Sequence, residues 1–560
     1  MRTWITNLLM INLIFNIDGW AGRINVLPGS ATTGNTMPES QHTVEYIAAL
    51  HTVAPRFSPT AARLGKNLMN SDDITAAVRL YIDQSWTDLT RSHSNVLLSK
   101  IDEKLPDGKA IMYLPPGEDL SRVKREINKE IQGKTGHTIE LRYLPEEVSR
   151  IRQHGLLYLP HPYVVPGGRF NEMYGWDSYF IELGLLESGR LQLAKNMVDN
   201  LIYEVNHYGM VLNANRTYYL QRSQPPLLTE MVLAYYHKTG DKDWLKSTLP
   251  AIDKLYQFWV TPPHLIPELG LSRYYAGGVG KPPEESPDYY EKVRAYFKTR
   301  DVDDYDKSLY YDARHDTLTE LFYIADRTVR ESGFDISAKF GPFSAAILDY
   351  APVDLNVLLV QMEKDASAIY TILGEPETAD GWKKRAQTRS RLVNQFLWDD
   401  KAGYYFDYNF KARRLRPYIY ATTFYPLWAG IASPKQARAV VRNLSVLLGK
   451  GGLVTSAYQQ DVQWDAPFGW APMQYFAVEG LKKYGYRDLA LDLAARFVST
   501  INKGFQQAHT IFEKYDVQNV SIHTDNKIKY SYATNEVGFG WTNGVYLVFL
   551  NELQSVNTPL

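Results

Sequence analysis

A helical hairpin repeated along the chain constrains this sequence most. From Leu228 to Trp259, from Val357 to Trp398 and from Tyr475 to Ile501, two stretches with helical patterning flank a glycine, at Gly240, Gly374 and Gly485. Single faces are plain elsewhere too: Leu193, Met197, Leu201 and Val205 share one stripe, as do Leu489, Leu493, Phe497 and Ile501. A hairpin with one apolar stripe cannot bury it alone, and a row of hairpins closed into a ring buries an inner layer of helices inside an outer one. The pattern predicts an all-α fold, an (α/α)6 toroid or six-hairpin barrel; an open α-solenoid gives the same local pattern. Long aromatic, glycine-rich loops between the helices favour closure, because they suit one functional mouth better than a repeat scaffold.

The N-terminus starts with Met1 and Arg2, continues with a mostly apolar stretch from Trp4 to Ile17, and ends in small residues near Gly22. This resembles a signal peptide over 1–22 and predicts a periplasmic or secreted protein, with no membrane association after signal removal. Residues 23–560 then form a single toroid catalytic domain with an N-terminal arm, rich in Gly, Pro, Ser and Thr as far as Glu39. Lys100 to Glu147 reads as charged and partly helical, and Gly277 to Asp306 as a long loop with some helix. With 61 Lys and Arg against 62 Asp and Glu, the net charge of -1 provides no field for a polyanion, so no nucleic-acid partner is expected. A monomer is the default oligomeric state.

The chain has no cysteine, which excludes disulfides and thiolate chemistry. H-E-x-x-H, G-x-S-x-G and phosphate-loop signatures are also absent, so neither metal nor cofactor is expected. Four loops instead combine aromatic rings, carboxylates, amides and arginines: Pro166 to Phe180, Asn213 to Pro226, Gln463 to Trp470 and Gly538 to Gly544. Carboxylates and arginine bind adjacent sugar hydroxyls bidentately while an aromatic face covers the C–H side, so four such loops point to a saccharide pocket. Any one of them could equally be a capping loop packed under a tryptophan.

The first and third of these loops resemble the two long motifs of the trehalases of glycoside hydrolase family 37, with bacterial periplasmic enzymes as the expected type. The resemblance runs in order through Asn213 to Pro226, Glu331 to Lys339, Glu513 to Val517 and Gly538 to Gly544. It implies an (α/α)6 toroid, a disaccharide partner, α,α-trehalose, and inverting hydrolysis to two glucoses. The family's general acid falls on Asp335, in Glu331-Ser332-Gly333-Phe334-Asp335. Its general base falls on Glu513, in Glu513-Lys514-Tyr515-Asp516. Substrate-binding positions fall on Arg169, Trp176, Asp177, Asn213, Arg222, Gln224, Glu284, Gly333 and Trp464.

Some positions depart from the family pattern. Pro282 stands where many relatives have an arginine, so only Glu284 carries over from that loop. Asn526 to Tyr532 replaces a Gly-rich lid ending in Gly-Glu-Tyr, and no lid glutamate can be assigned. Phe334 and Lys339 replace a common Trp and Arg. Alternatives to trehalose hydrolysis are another toroid α-glucosidase, a disaccharide phosphorylase, or a saccharide-binding protein without turnover. With Pro282 offering no donor, the sugar rests more heavily on Arg169 and Arg222. Replacing either by lysine should lower kcat/KM well over tenfold; steady-state kinetics showing losses below threefold at both positions would refute this.

Overall fold

Helices dominate the computed structural model, which describes residues 71–93, 110–131, 139–524, 527–530 and 534–557. The expected leader and arm lie outside the described residues. All described residues belong to one compact unit, residues 55–560. Among them no helix is long and apolar enough to cross a membrane.

After α1 (Ser71–Asp88) comes a small α/β unit of β1 (Ala110–Leu114), α2 (Leu120–Ile131), β2 (Ile139–Tyr143) and β3 (Leu156–Leu157). The strands are parallel in the order β2-β1-β3, with Met112 opposite Leu141 and Leu156. The reading of Lys100 to Glu147 as charged and partly helical holds at α2, and the strands beside it add what that reading lacked. Strand alternation explains the unit. Met112 and Leu114 pack with Val123 and Ile127 of α2. Ile111 and Tyr113 face the other way, onto Leu144, Ile151, Leu157 and Leu212.

The remaining helices come mostly in pairs: α3 (Asp177–Glu187) with α4 (Leu191–Tyr208), α5 (Leu228–Thr239) with α6 (Lys242–Trp259), α7 (Pro287–Thr299) and α8 (Glu320–Glu331), then α9 (Val353–Ile372) with α10 (Pro376–Phe396). Next are α11 (Tyr425–Trp428), α12 (Pro434–Arg442), α13 (Ala471–Lys483) with α14 (Arg487–Ala508), and finally α15 (Gly540–Asn557). The three hairpins expected from sequence are present and turn where expected. At Gly240 the backbone is left-handed (φ 69°), which ends α5 at no steric cost, and the Asp241 side chain then caps α6 by accepting from the Trp244 amide at 2.9 Å. Gly374 and Gly485 turn the other two hairpins with φ of 80° each.

Six of these helices touch in succession. α3 packs on α5, α5 on α9, α9 on α11, α11 on α13, α13 on α15, and α15 returns to α3. α4, α6, α10 and α14 each pack on the preceding helix of their own pair. Between α15 and α3 the backbones are very close: a Cβ on Gly544 would stand 1.9 Å from the Phe180 carbonyl oxygen, and one on Gly184 would stand 2.6 Å from the Gly544 Cα.

Gly544→Ala should therefore force the two helices apart and cost at least about 2 kcal/mol, the upper range of overpacking effects. Gly374→Ala meets nothing within 4 Å and suffers only from its positive φ, for about 1 kcal/mol. Thermal denaturation of both variants checks the order; it fails if Gly374→Ala is the less stable.

Candidate active site

The eleven site residues expected from sequence line one cavity of about 270 Å³. They are Arg169, Trp176, Asp177, Asn213, Arg222, Gln224, Glu284, Gly333, Asp335, Trp464 and Glu513. Lining residues stand where a loop enters a helix: Asp177 begins α3, and, beyond the eleven, Trp470 precedes α13 and Trp541 lies in the first turn of α15.

Backbone bonding fixes the loops against one another. Gln224 accepts from the Trp176 amide at 2.9 Å, and Asn213 donates to the Arg330 carbonyl at 3.2 Å. The Glu331 carboxylate accepts from the amides of Ser223 at 3.1 Å and Tyr275 at 2.6 Å, joining two loops to the end of α8. Gln463 donates to the Asp335 carbonyl. β4 (Phe468–Trp470) pairs antiparallel with β5 (Lys514–Asp516), Trp470 opposite Lys514, so Glu513 comes to lie beside the Gln463–Trp470 loop. The Trp541 indole donates to the Glu513 carbonyl at 3.1 Å and completes the junction.

The tryptophans are spent largely on packing. Trp176 and Trp464 are each only 2% exposed. Trp464 stacks on Trp470 at 4.0 Å, and Trp176 meets Phe334 and Trp541 edge-on at 5.8 Å. Gly333 belongs to the same cluster, since a Cβ there would approach the Trp176 ring to 2.8 Å, at a φ of 79°. The rings therefore offer the cavity a narrow part of their surface rather than open platforms.

The carboxyls of the cavity differ in environment. Asp335 is 34% exposed in its side chain and lines the cavity. Burial pushes it up to about 7, against the lowering effect of the Arg330 guanidinium 3.9 Å away. Glu513 instead accepts from the Lys514 ammonium at 2.8 Å, with both groups buried. Burial also drives Asp177 well above the usual carboxylate range, and the nearby charges of Glu513 and Asp335 add to this. Burial alone would raise Glu284, but Arg222, which bonds to it, and Arg330 together hold it below the ordinary value.

Sequence reasoning missed several lining residues. Arg330 is the chief one: it pairs with Glu285 at 2.6 Å and places a third arginine on the wall, where Pro282 suggested a missing donor. Only its position five residues before Asp335 hinted at this. Glu172 also lines the cavity and pairs with the buried Arg216 at 2.8 Å. Lys339 does not line the cavity; it is a buried structural cation between Asp354 (2.5 Å) and Asp407 (3.3 Å).

The trehalase family model matches residues 68–554. The cytosolic neutral trehalase of Kluyveromyces lactis is 35% identical over 89% of this chain and 74% of its own length. That of Saccharomyces cerevisiae is 35% identical over 90% and 75%. The solved structure of neutral trehalase Nth1 from Saccharomyces cerevisiae superposes with a TM-score of 0.72 at 35% identity, covering 85% of this chain and 94% of that one. The chain belongs to the trehalase family of glycosidases. Its reaction is the hydrolysis of α,α-trehalose to glucose.

These relatives correct two expectations. They are fungal neutral enzymes rather than a bacterial periplasmic type. They are cytosolic neutral trehalases, and the similarity runs over 88% to 90% of this chain, which overturns export to the periplasm or medium and points to the cytosol. The export reading rested on an apolar stretch that Asn7, Asn12 and Asn16 interrupt, polar side chains that weaken such a segment as an export signal.

The Asp335 environment generates a titration prediction. Carboxyl ¹³C NMR, assigned with Asp335→Asn, should find this group ionising near 7, with the protonated form dominant below that pH. Arg330→Gln removes the nearby cation, so the ionisation should move upward; a downward move would contradict the placement of Arg330.

Proposed function

We infer that this trehalase is an inverting hydrolase in which Asp335 is the general acid and Glu513 the general base. The observation that carries the reading is the contrast between these two carboxyls in one cavity: Asp335 is held near 7 by burial, and Glu513 is bonded to an ammonium. A glycosidic oxygen leaves readily only if it is protonated as the bond breaks, and water attacks only if its proton has an acceptor. Asp335 supplies the first proton from the leaving-group side; Glu513 takes the second from the water on the opposite face. Arg169, Asn213, Arg222, Gln224, Glu284 and Asp177 hold the two glucosyl units by hydrogen bonds, with Trp176, Gly333 and Trp464 shaping the wall. Arg330 offers a further donor beside the acid.

The succession of helix contacts that returns from α15 to α3 supports an (α/α)6 toroid as the scaffold, with the cavity at its loop-bearing mouth. On this reading the toroid is a single catalytic domain acting as a monomer on a small disaccharide.

Both linked carbons of trehalose are α, so attack with inversion yields one β-glucose while the departing unit leaves as α-glucose. Early-time NMR should show the two anomers in equal amounts; α-glucose alone would exclude inversion. Asp335→Asn and Glu513→Gln should each lower kcat by several orders of magnitude with sugar binding retained, and the assignment fails if both keep more than about a tenth of wild-type kcat. As Asp335 must be protonated, kcat/KM should fall as pH rises through about 7.

A further inference from the structure

Glu536 lies between two parts of the site that are distant in sequence. Its carboxylate pairs with the Arg169 guanidinium, Oε2 to Nε at 3.1 Å, and its Oε1 accepts from the Arg169 amide at 3.4 Å. Its own main-chain carbonyl accepts from the Glu513 amide at 2.9 Å. The approach to Arg169 depends on the preceding turn, since a Cβ on Gly167 would stand 2.6 Å from the Glu536 Cγ. Side chain and main chain of one residue thus bond to the arginine on the cavity wall and to the base.

We propose that Glu536 is a positioning residue for trehalose hydrolysis, its side chain orienting Arg169 against the sugar while its carbonyl keeps Glu513 in register. Arg169 is half exposed, and a long side chain in that setting samples many rotamers unless something holds it. An arginine has five N–H donors in one rigid plane; a carboxylate on Nε sets the direction of that plane and of the Nη donors. Holding the plane before the sugar arrives lowers the entropy lost on binding, so the effect belongs mainly in KM. The bond to Glu513 comes from the main chain and survives any substitution of the side chain, so the base stays in place and kcat is largely kept.

The proposal rests on the placement of Arg169 at the sugar, and the experiment separates the two. Trehalose kinetics are measured on the full chain for Arg169→Ala, Glu536→Ala, the double variant and Glu536→Gln. Arg169→Ala and Glu536→Ala should each raise KM at least tenfold with kcat within threefold of wild type. The double variant should lie within threefold of Arg169→Ala, because Glu536 acts through that arginine. Glu536→Gln keeps the size and an acceptor but loses the charge-assisted bond, and should raise KM at least threefold; it also serves if the alanine variant does not fold. A wild-type KM for folded Glu536→Gln, or effects of the two single alanine variants that multiply in full, would overturn the proposal. If Arg169→Ala raises KM and Glu536→Ala does not, only the role of Glu536 falls. If Arg169→Ala leaves KM unchanged, its placement at the sugar fails, and the role of Glu536 with it.

Discussion

The contact between α3 and α15 is the constraint on which the site depends. These helices are far apart in sequence, and Gly184 and Gly544 let their backbones meet without side chains between them. Each helix begins in a loop that lines the cavity, Pro166 to Trp176 for α3 and Gly538 to Trp541 for α15. The Gly540 amide donates to the Pro166 carbonyl at 2.7 Å, which carries the helix contact into the loops. Sterics deep between two helices therefore decide how Arg169 and Glu513 are brought to one cavity.

Charge inside the cavity is managed by pairing more than by solvent. Arg222 with Glu284, Arg330 with Glu285, Arg169 with Glu536 and Lys514 with Glu513 are all close pairs. Removing one member of a buried pair leaves the other uncompensated, which costs far more than the pair contributes to stability. Asp335 and Asp177 depart from this: the cation beside Asp335 stands 3.9 Å away and is already bonded to Glu285 and Asp326, and burial raises both carboxyls above the ordinary range.

The helical hairpins were legible in the sequence because a period of 3.6 residues and a left-handed glycine are local signals, and Gly240, Gly374 and Gly485 all turn as read. The α/β unit was not, because Ala110 to Leu114 is a short apolar run that buries both faces and shows no alternation to distinguish it from a helix fragment. All eleven site residues line the cavity because long motifs carried them. Arg330, Glu285 and Glu536 escaped because each looks like an ordinary surface charge in sequence and becomes a wall residue or its partner only through packing between distant segments. For the tryptophans the sequence left sugar contact and packing both open, and their faces are in fact largely occupied by one another; a ring is visible in sequence and its stacking partner is not.

The edge strand β3 has two sides. One pairs with β1 of the small sheet; on the other, the Leu157 amide donates to the Asn215 carbonyl at 2.8 Å and Leu156 bridges Arg216. The segment carrying Asn213 is thus an extension of a sheet, so its conformational freedom is lost when the chain folds rather than when sugar arrives. If Asn213 binds sugar as proposed, the α/β unit, none of whose strands or helix lines the cavity, contributes to affinity by fixing that residue in advance.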